Sequence, residues 1–249
     1  MFNAVVGSLQ PVLQETTIIK YIDDCTFVIP IRQSSDVSHE REHKNMLQWS
    51  FSVGLKLNLL KTKALWIPKF DQTISLSLPD IQRVNVLKIL GVSFTSDLKW
   101  NVHVNNVHKT ASRRLFAVRV LRPFLTRKDL ASVYKGLVLS IIEYCSPLLV
   151  GMSITNRNVL NKLQRRAHNI VCDDKCSCDI FEDLTCRRNR ATVEFLAKIC
   201  RLKDHPLHFL CPHRSCRSGK FTMPYCKTVR RRNSFFPSAI MLANNIHVD

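Results

Sequence analysis

From Thr16 the chain runs through the β-branched and aromatic positions Ile18, Ile19 and Tyr21, breaks at Asp23-Asp24, and resumes with Thr26-Phe-Val-Ile-Pro-Ile31. This pattern predicts a β-hairpin with two carboxylates at its tip. After a polar link, Val37 to Val53 reads as a helix, with Gly54 placed to form a left-handed C-terminal cap. Ala64-Leu-Trp-Ile-Pro68 and Val86 to Phe94 read as further short strands. The front of the chain is therefore expected to be α+β.

Beyond Trp100 the period of the apolar positions changes from two to about 3.6. Val104, Val107, Ala111, Leu115 and Val118 advance by 3, 4, 4 and 3 residues, which places them on one helix face. Lys109, Arg113, Arg114 and Arg119 fall on the other sides. Thr126 and Asp129 have capping-box spacing, and Leu130, Val133, Leu137 and Ile141 predict the inner face of a second helix. Leu160, Leu163, Ala167 and Ile170 predict a third, and a further helix is expected from about Ala191 to Leu202. Amphipathic helices joined by short links imply a small bundle with basic outer surfaces. After Asp204 come Pro206, Pro212, Pro224, Pro237 and Arg230-Arg-Arg232, so the tail is expected to be irregular and weakly packed.

Charge sharpens this division. Residues 1–100 carry 11 basic and 9 acidic side chains, whereas residues 101–249 carry 26 and 10. Basicity thus belongs to the back of the chain, and a nucleic acid is the commonest partner for such a surface. The ten cysteines would suggest disulfides in a small secreted protein, but Met1 to Gln14 lacks a basic segment followed by an unbroken apolar one. Reduced thiols and an intracellular location, nuclear or cytoplasmic, are expected. The longest apolar segment, Gly136 to Met152, contains Glu143 and Pro147 and is shorter than the roughly 20 residues of a membrane-spanning helix.

Adjacent carboxylates at a strand-to-strand turn can hold Mg²⁺ through hard oxygen ligands, and their mutual repulsion favours a cation nearby. An ordinary acidic turn is the plain alternative for Asp23 and Asp24. Their surroundings change the reading. Tyr21-Ile-Asp-Asp24, set between two β-branched strands, resembles the Tyr-x-Asp-Asp box of reverse transcriptases. It is followed in order by Gly54-Leu-Lys-Leu-Asn58, Lys61-Thr62, Leu90-Gly91-Val92, Asp97-Leu-Lys-Trp100 and His103. That order is similar to the downstream half of a non-LTR retrotransposon polymerase of the LINE-type, jockey-like group. Leu163-Gln-Arg-Arg-Ala167 and Asn233-Ser-Phe-Phe-Pro237 resemble the ends of such reading frames.

The resemblance implies a partial palm of short antiparallel strands and a helix over residues 1–80, and a primer-gripping hairpin over 81–102. A helical thumb over 103–171 and a basic, cysteine-containing, partly irregular region over 172–249 would follow. It assigns Asp23 to the catalytic Mg²⁺ ions, Asp24 to a place beside them and Lys61 to the incoming triphosphate. Two-ion phosphoryl transfer is the implied chemistry. Tyr21, Leu90, Gly91 and Trp100 would contact substrate, and Lys109, Arg113 and Arg114 the backbone of an RNA/DNA template–primer duplex. Eight basic residues and one acid, Asp129, lie between Lys109 and Lys135, as phosphate contacts require. Ile22 stands where the family usually has alanine. Only 20 residues precede Tyr21, whereas the family's fingers, its other metal-binding aspartate and its template-contacting motif lie further upstream. The chain is accordingly expected to be a 5′-truncated copy without polymerase activity of its own, retaining nucleic-acid binding. A basic nucleic-acid-binding module that never used Asp23 or Asp24 is the competing expectation.

Three other patterns carry chemistry on paper. His39-Glu-Arg-Glu-His43 fits the zinc-peptidase pattern, with both imidazoles on one helix face and Glu40 as base, but no acid lies between His43 and Asp71 to complete the ligands. Cys172, Cys176, Cys178 and Cys186, or His205, His208, Cys211, His213 and Cys216, do not form clear ligand pairs, so zinc is not expected. His247-Val-Asp249 matches part of a non-haem iron triad with no distal histidine after it, and is read as chance.

Overall fold

The computed structural model describes residues 2–33, 36–68, 78, 80–172 and 181–245. It is α+β, mostly helical, with short strands in three two-stranded sheets. The chain divides into two compact units, Met1–Leu87 and Lys88–Asp249, a boundary that falls inside the segment read as the primer-gripping hairpin.

The first unit holds α1 (Phe2–Gly7), the hairpin β1 (Thr17–Tyr21) and β2 (Asp24–Val28), α2 (Ser38–Ser52), and the paired strands β3 (Lys63–Leu65) and β4 (Gln82–Val84). β1 and β2 pair antiparallel with Tyr21 opposite Asp24, as the alternation predicts. β3 and β4 pair parallel, so the short strands are not all antiparallel, a correction to the expected palm pattern. A parallel pair needs the long connection that residues 66–81 provide. α2 ends where Gly54 (φ +69°) turns left-handed, with Leu55 N–H donating to Ser50 at 2.9 Å and Gly54 N–H to Phe51 at 3.2 Å. That is a Schellman cap. Buried Glu42 on α2 ties down the preceding loop by accepting the N–H groups of Val12 (3.2 Å) and Leu13 (2.9 Å).

The second unit carries the hydrophobic core. The strand β5 (Val86–Ile89), which runs across the boundary, forms a hairpin with β6 (Val92–Thr95), followed by α3 (Asn101–Leu121), α4 (Arg127–Tyr134), a π-helical turn (Lys135–Leu139) and α5 (Ser140–Glu143). Next come a 3₁₀ turn (Ser146–Leu149), α6 (Ile154–Val171), α7 (Leu184–Arg201), α8 (Val229–Arg232) and α9 (Phe235–Asn245). The predicted inner face of α3 is buried at every position. Thr126 caps α4 as expected, accepting the Asp129 N–H at 3.3 Å.

The inner face of the second helix is corrected. Leu130, Tyr134, Val138 and Ile142 are buried at intervals of four, while Leu137 is exposed and Val133 and Ile141 are half-buried. An α-helix stepping by four would rotate its face away from the core, and the wider π turn at Lys135–Leu139 takes up that drift.

The tail is corrected as well. Pro237 sits in the first turn of α9, where its missing N–H costs nothing. Ala239 and Ile240 pack with Leu196 of α7 in a second small core lined by Phe221, Phe235 and Phe236. Residues 205–228 do remain irregular apart from a 3₁₀ turn at His208–Leu210 and a bridge between Arg214 and Phe221.

Val6 and Leu9 are the only fully buried apolar side chains among the described residues of the first unit. Both hydrophobic cores lie in the second. Amide exchange should therefore be faster in β1–β2 than around Leu130 of α4. Hydrogen-exchange mass spectrometry giving equal protection in the two segments would contradict this. No helix among the described residues is long and apolar enough to cross a membrane.

Candidate nucleic-acid interface

The hairpin of the first unit turns through Ile22 and Asp23, with Ile22 in the left-handed region at φ +52°. That conformation is costly for a β-branched residue, and such strain clusters at functional turns. Tyr21 and Ile22 are 55% and 59% exposed, and both aspartates are exposed. The Cys25 thiol beside them is pushed up, by burial first and by the Asp24 and Asp23 carboxylates, against the lowering effect of Lys20. Lys61 is exposed in the turn before β3, where its backbone N–H donates to Asn58. Among the described residues, no three His, Cys, Asp or Glu side chains gather round one point. Asp23 and Asp24 therefore stand as a pair.

His39 is buried on α2, His43 is half-buried, and Glu40 is exposed with an oxygen 4.0 Å from His39 Nε2. The buried acid of this segment is Glu42, which is already used by the loop. Cys176, Cys178, His247 and Asp249 lie outside the described residues.

In the second unit, Gly91, Lys109 and Arg113 line one cavity of about 500 Å³ together with Lys88, Ser93 and Tyr144. Gly91 has φ +86°, and a Cβ there would lie 3.3 Å from the Tyr144 ring. Tyr144 O–H donates to the Leu90 carbonyl at 2.7 Å. The glycine is thus favoured by its own turn and lies close against Tyr144, a structural use that the sequence left open. Leu90 joins the same turn at φ +46°.

His103 borders this cavity, buried, with Nδ1 accepting the Ser93 N–H at 3.3 Å, and burial holds its pKa below the ordinary value. The polar stripe His103, Asn106, Thr110 and Arg113, spaced 3, 4 and 3, lines the cavity and was legible as a helix face. The sequence reading named Arg113 and quoted His103 but missed Asn106 and Thr110, along with Lys88, Ser140 and Tyr144.

Trp100 lies at the start of α3. It is half-buried against the bundle core and packs its ring against Phe94 and His103, with centroids 5.8 and 6.1 Å away. It seats the start of α3. Arg114 reaches across to the Leu137 carbonyl at 3.3 Å, an interhelix tie that still leaves the side chain exposed.

The link into α3 is held by Asp97, which accepts from Thr95 Oγ1 (2.6 Å) and from the Lys99 N–H (3.0 Å). The Thr95 hydrogen bond, opposed by burial, leads the causes that hold its carboxyl below the usual range. A carboxyl depressed in the folded state stabilises fully above its unfolded pKa, and that contribution disappears as pH falls through the folded value. The urea midpoint of Asp97→Asn should therefore fall below that of the wild type at neutral pH, and the gap should close below about pH 4. A gap independent of pH would refute this role.

α3 and α6 pack together and contain no Asp or Glu. They carry Lys109, Arg113, Arg114 and Arg119 on α3 and Arg157, Lys162, Arg165 and Arg166 on α6, none paired with a carboxylate among the described residues. Among the described residues, Arg187 of α7 binds Glu143 and Glu182, and Glu182 also binds Arg190. Among the described residues, α3 and α6 thus present positive charge that no carboxylate neutralises. Compared with models of known families, with curated proteins and with solved structures, the chain matches none.

Proposed function

We propose that this chain binds nucleic acid as the downstream part of an RNA-directed DNA polymerase of the non-LTR retrotransposon type. In this reading it holds a template–primer duplex and does not extend a primer by itself. The observation that carries the proposal is that the packed helices α3 and α6 contain no Asp or Glu and expose seven Lys and Arg side chains, while an eighth, Arg157, is half-buried and donates to the Val150 carbonyl. Guanidinium and ammonium groups on such a face contact phosphates, release counterions and read no sequence. The order of motifs from Tyr21-Ile-Asp-Asp24 to His103 supplies the polymerase ancestry, and the strained Ile22 turn is consistent with a hairpin shaped for use.

Asp23 and Asp24 suit one Mg²⁺ ion that keeps most of its water, because they are adjacent, exposed oxygen donors. A two-ion transfer needs further carboxylates, and the described residues bring none to this pair. The residues therefore do not fit a complete catalytic site, and no chemical step is assigned to them. Their role in this reading is to favour a cation beside the primer terminus.

The test measures binding of a recessed poly(rA)/oligo(dT) primer terminus with and without Mg²⁺, for wild type and Asp23→Asn, with primer extension run on the same samples. Mg²⁺ should tighten wild-type binding, Asp23→Asn should abolish that increment, and neither protein should extend. Binding indifferent to both Mg²⁺ and the substitution would favour the plain basic module. Extension by the wild type alone would overturn the inactive assignment.

A further inference from the structure

A second groove lies on the α3–α6 surface, apart from the cavity beside Gly91. It encloses about 240 Å³ between Ser112, Leu115, Phe116 and Arg119 of α3 and Arg166, Asn169 and Ile170 of α6. Phe116 is 67% exposed, although its helix has a complete apolar face already buried in the core. Packing therefore does not account for an aromatic ring at this position.

Its neighbours on the helix surface are Arg113 three residues before and Arg119 three residues after, about 4.5 Å along the axis on either side. Arg166 faces the same groove. Leu115 is buried and Ile170 half-buried, which gives the groove apolar walls, while Asn169 adds a polar group. The buried Ser112 hydroxyl has no hydrogen-bond partner among the described residues.

We infer that this groove takes an unpaired nucleobase of a single strand, stacked on Phe116, with Arg119 and Arg166 holding the adjoining phosphates. An exposed aromatic ring set among cations is the combination that binds single-stranded nucleic acid without sequence preference, because every base offers a π face. The charge favours this occupant over an apolar protein segment, since α3 and α6 have eight cations and no acid with which to meet a partner. The inference extends the proposed duplex binding and rests on the same basic surface. It differs in needing an aromatic ring, to which phosphate contacts along a duplex are indifferent.

The test uses the full chain, a short oligo(dA) strand carrying one 2-aminopurine, a blunt duplex and polyglutamate. Phe116→Leu keeps an apolar side chain at this exposed position, so folding should be preserved, and Phe116→Tyr keeps the stacking surface. Phe116→Leu should weaken single-strand binding by about 5- to 150-fold and abolish the quenching of 2-aminopurine, while duplex binding stays unchanged. Phe116→Tyr should retain both single-strand signals.

Unchanged single-strand binding in Phe116→Leu, with duplex binding intact, would overturn the groove assignment and leave the duplex reading standing. Equal losses for single strand, duplex and polyglutamate would also overturn it, because the ring would then not be reading bases. Absence of binding to either nucleic acid by the wild type would overturn both proposals together.

Discussion

Gly151→Ala is expected to destabilise the second unit by about 3 kcal/mol, the upper part of the usual range for forcing atoms into a filled site. A Cβ built on Gly151 would overlap the Asn233 carbonyl oxygen and lie 2.7 Å from its carbonyl carbon. The obstacle is backbone, so rotation of a side chain cannot relieve it. Asn233 lies between α8 and α9, and α9 packs on α7 and on the 3₁₀ turn just before Gly151. The substitution should therefore lift the C-terminal helix and expose Ala239, Ile240 and the surrounding phenylalanines. Urea denaturation should show the lower stability, and hydrogen exchange should show the loss concentrated in residues 233–245. An unchanged midpoint would mean that the tail is not seated on Gly151.

The second large effect concerns binding. Replacing Lys109 and Arg113 together by glutamine should lower duplex affinity about 100-fold at low salt, taking about tenfold for each charge-assisted hydrogen bond to phosphate. Both side chains are exposed, and neither has an ion-pair partner among the described residues. Their removal should therefore leave stability nearly unchanged. The slope of log affinity against log salt should become shallower by about two, one for each phosphate no longer neutralised. Fluorescence anisotropy across a salt series reads both quantities. Weaker affinity with an unchanged slope would mean that the two side chains do not neutralise phosphates.

The inner face of α3 was legible because burial at every third or fourth residue leaves a periodic trace, and no irregularity interrupts it between Val104 and Val118. The β1–β2 hairpin and the cap at Gly54 were legible for similar local reasons. The second helix was legible as a helix but not in its register. Its π turn is selected by packing against α3, and the apolar run Leu137-Val-Leu139 offers several positions that could face inward. α9 was missed because Pro237 was weighed as a breaker when it occupies a first turn.

Among the candidate site residues, Gly91, Lys109 and Arg113 share a cavity, whereas Trp100 belongs to the packing around the start of α3. The exposure of Phe116 was the least accessible to sequence reasoning, since an aromatic residue next to Leu115 reads as part of the core until the helix face is fixed. Tyr144 was also missed. Its hydrogen bond to the Leu90 turn joins residues far apart in sequence and leaves no local signal.

The most direct test of the central claim is a titration of the full chain with a blunt duplex from about 50 to about 200 mM salt. Phosphate binding by the acid-free face of α3 and α6 predicts tight association at the lower salt and a steep, linear decline of log affinity with log salt. Absence of association at low salt, or an affinity that does not change across the series, would contradict the account.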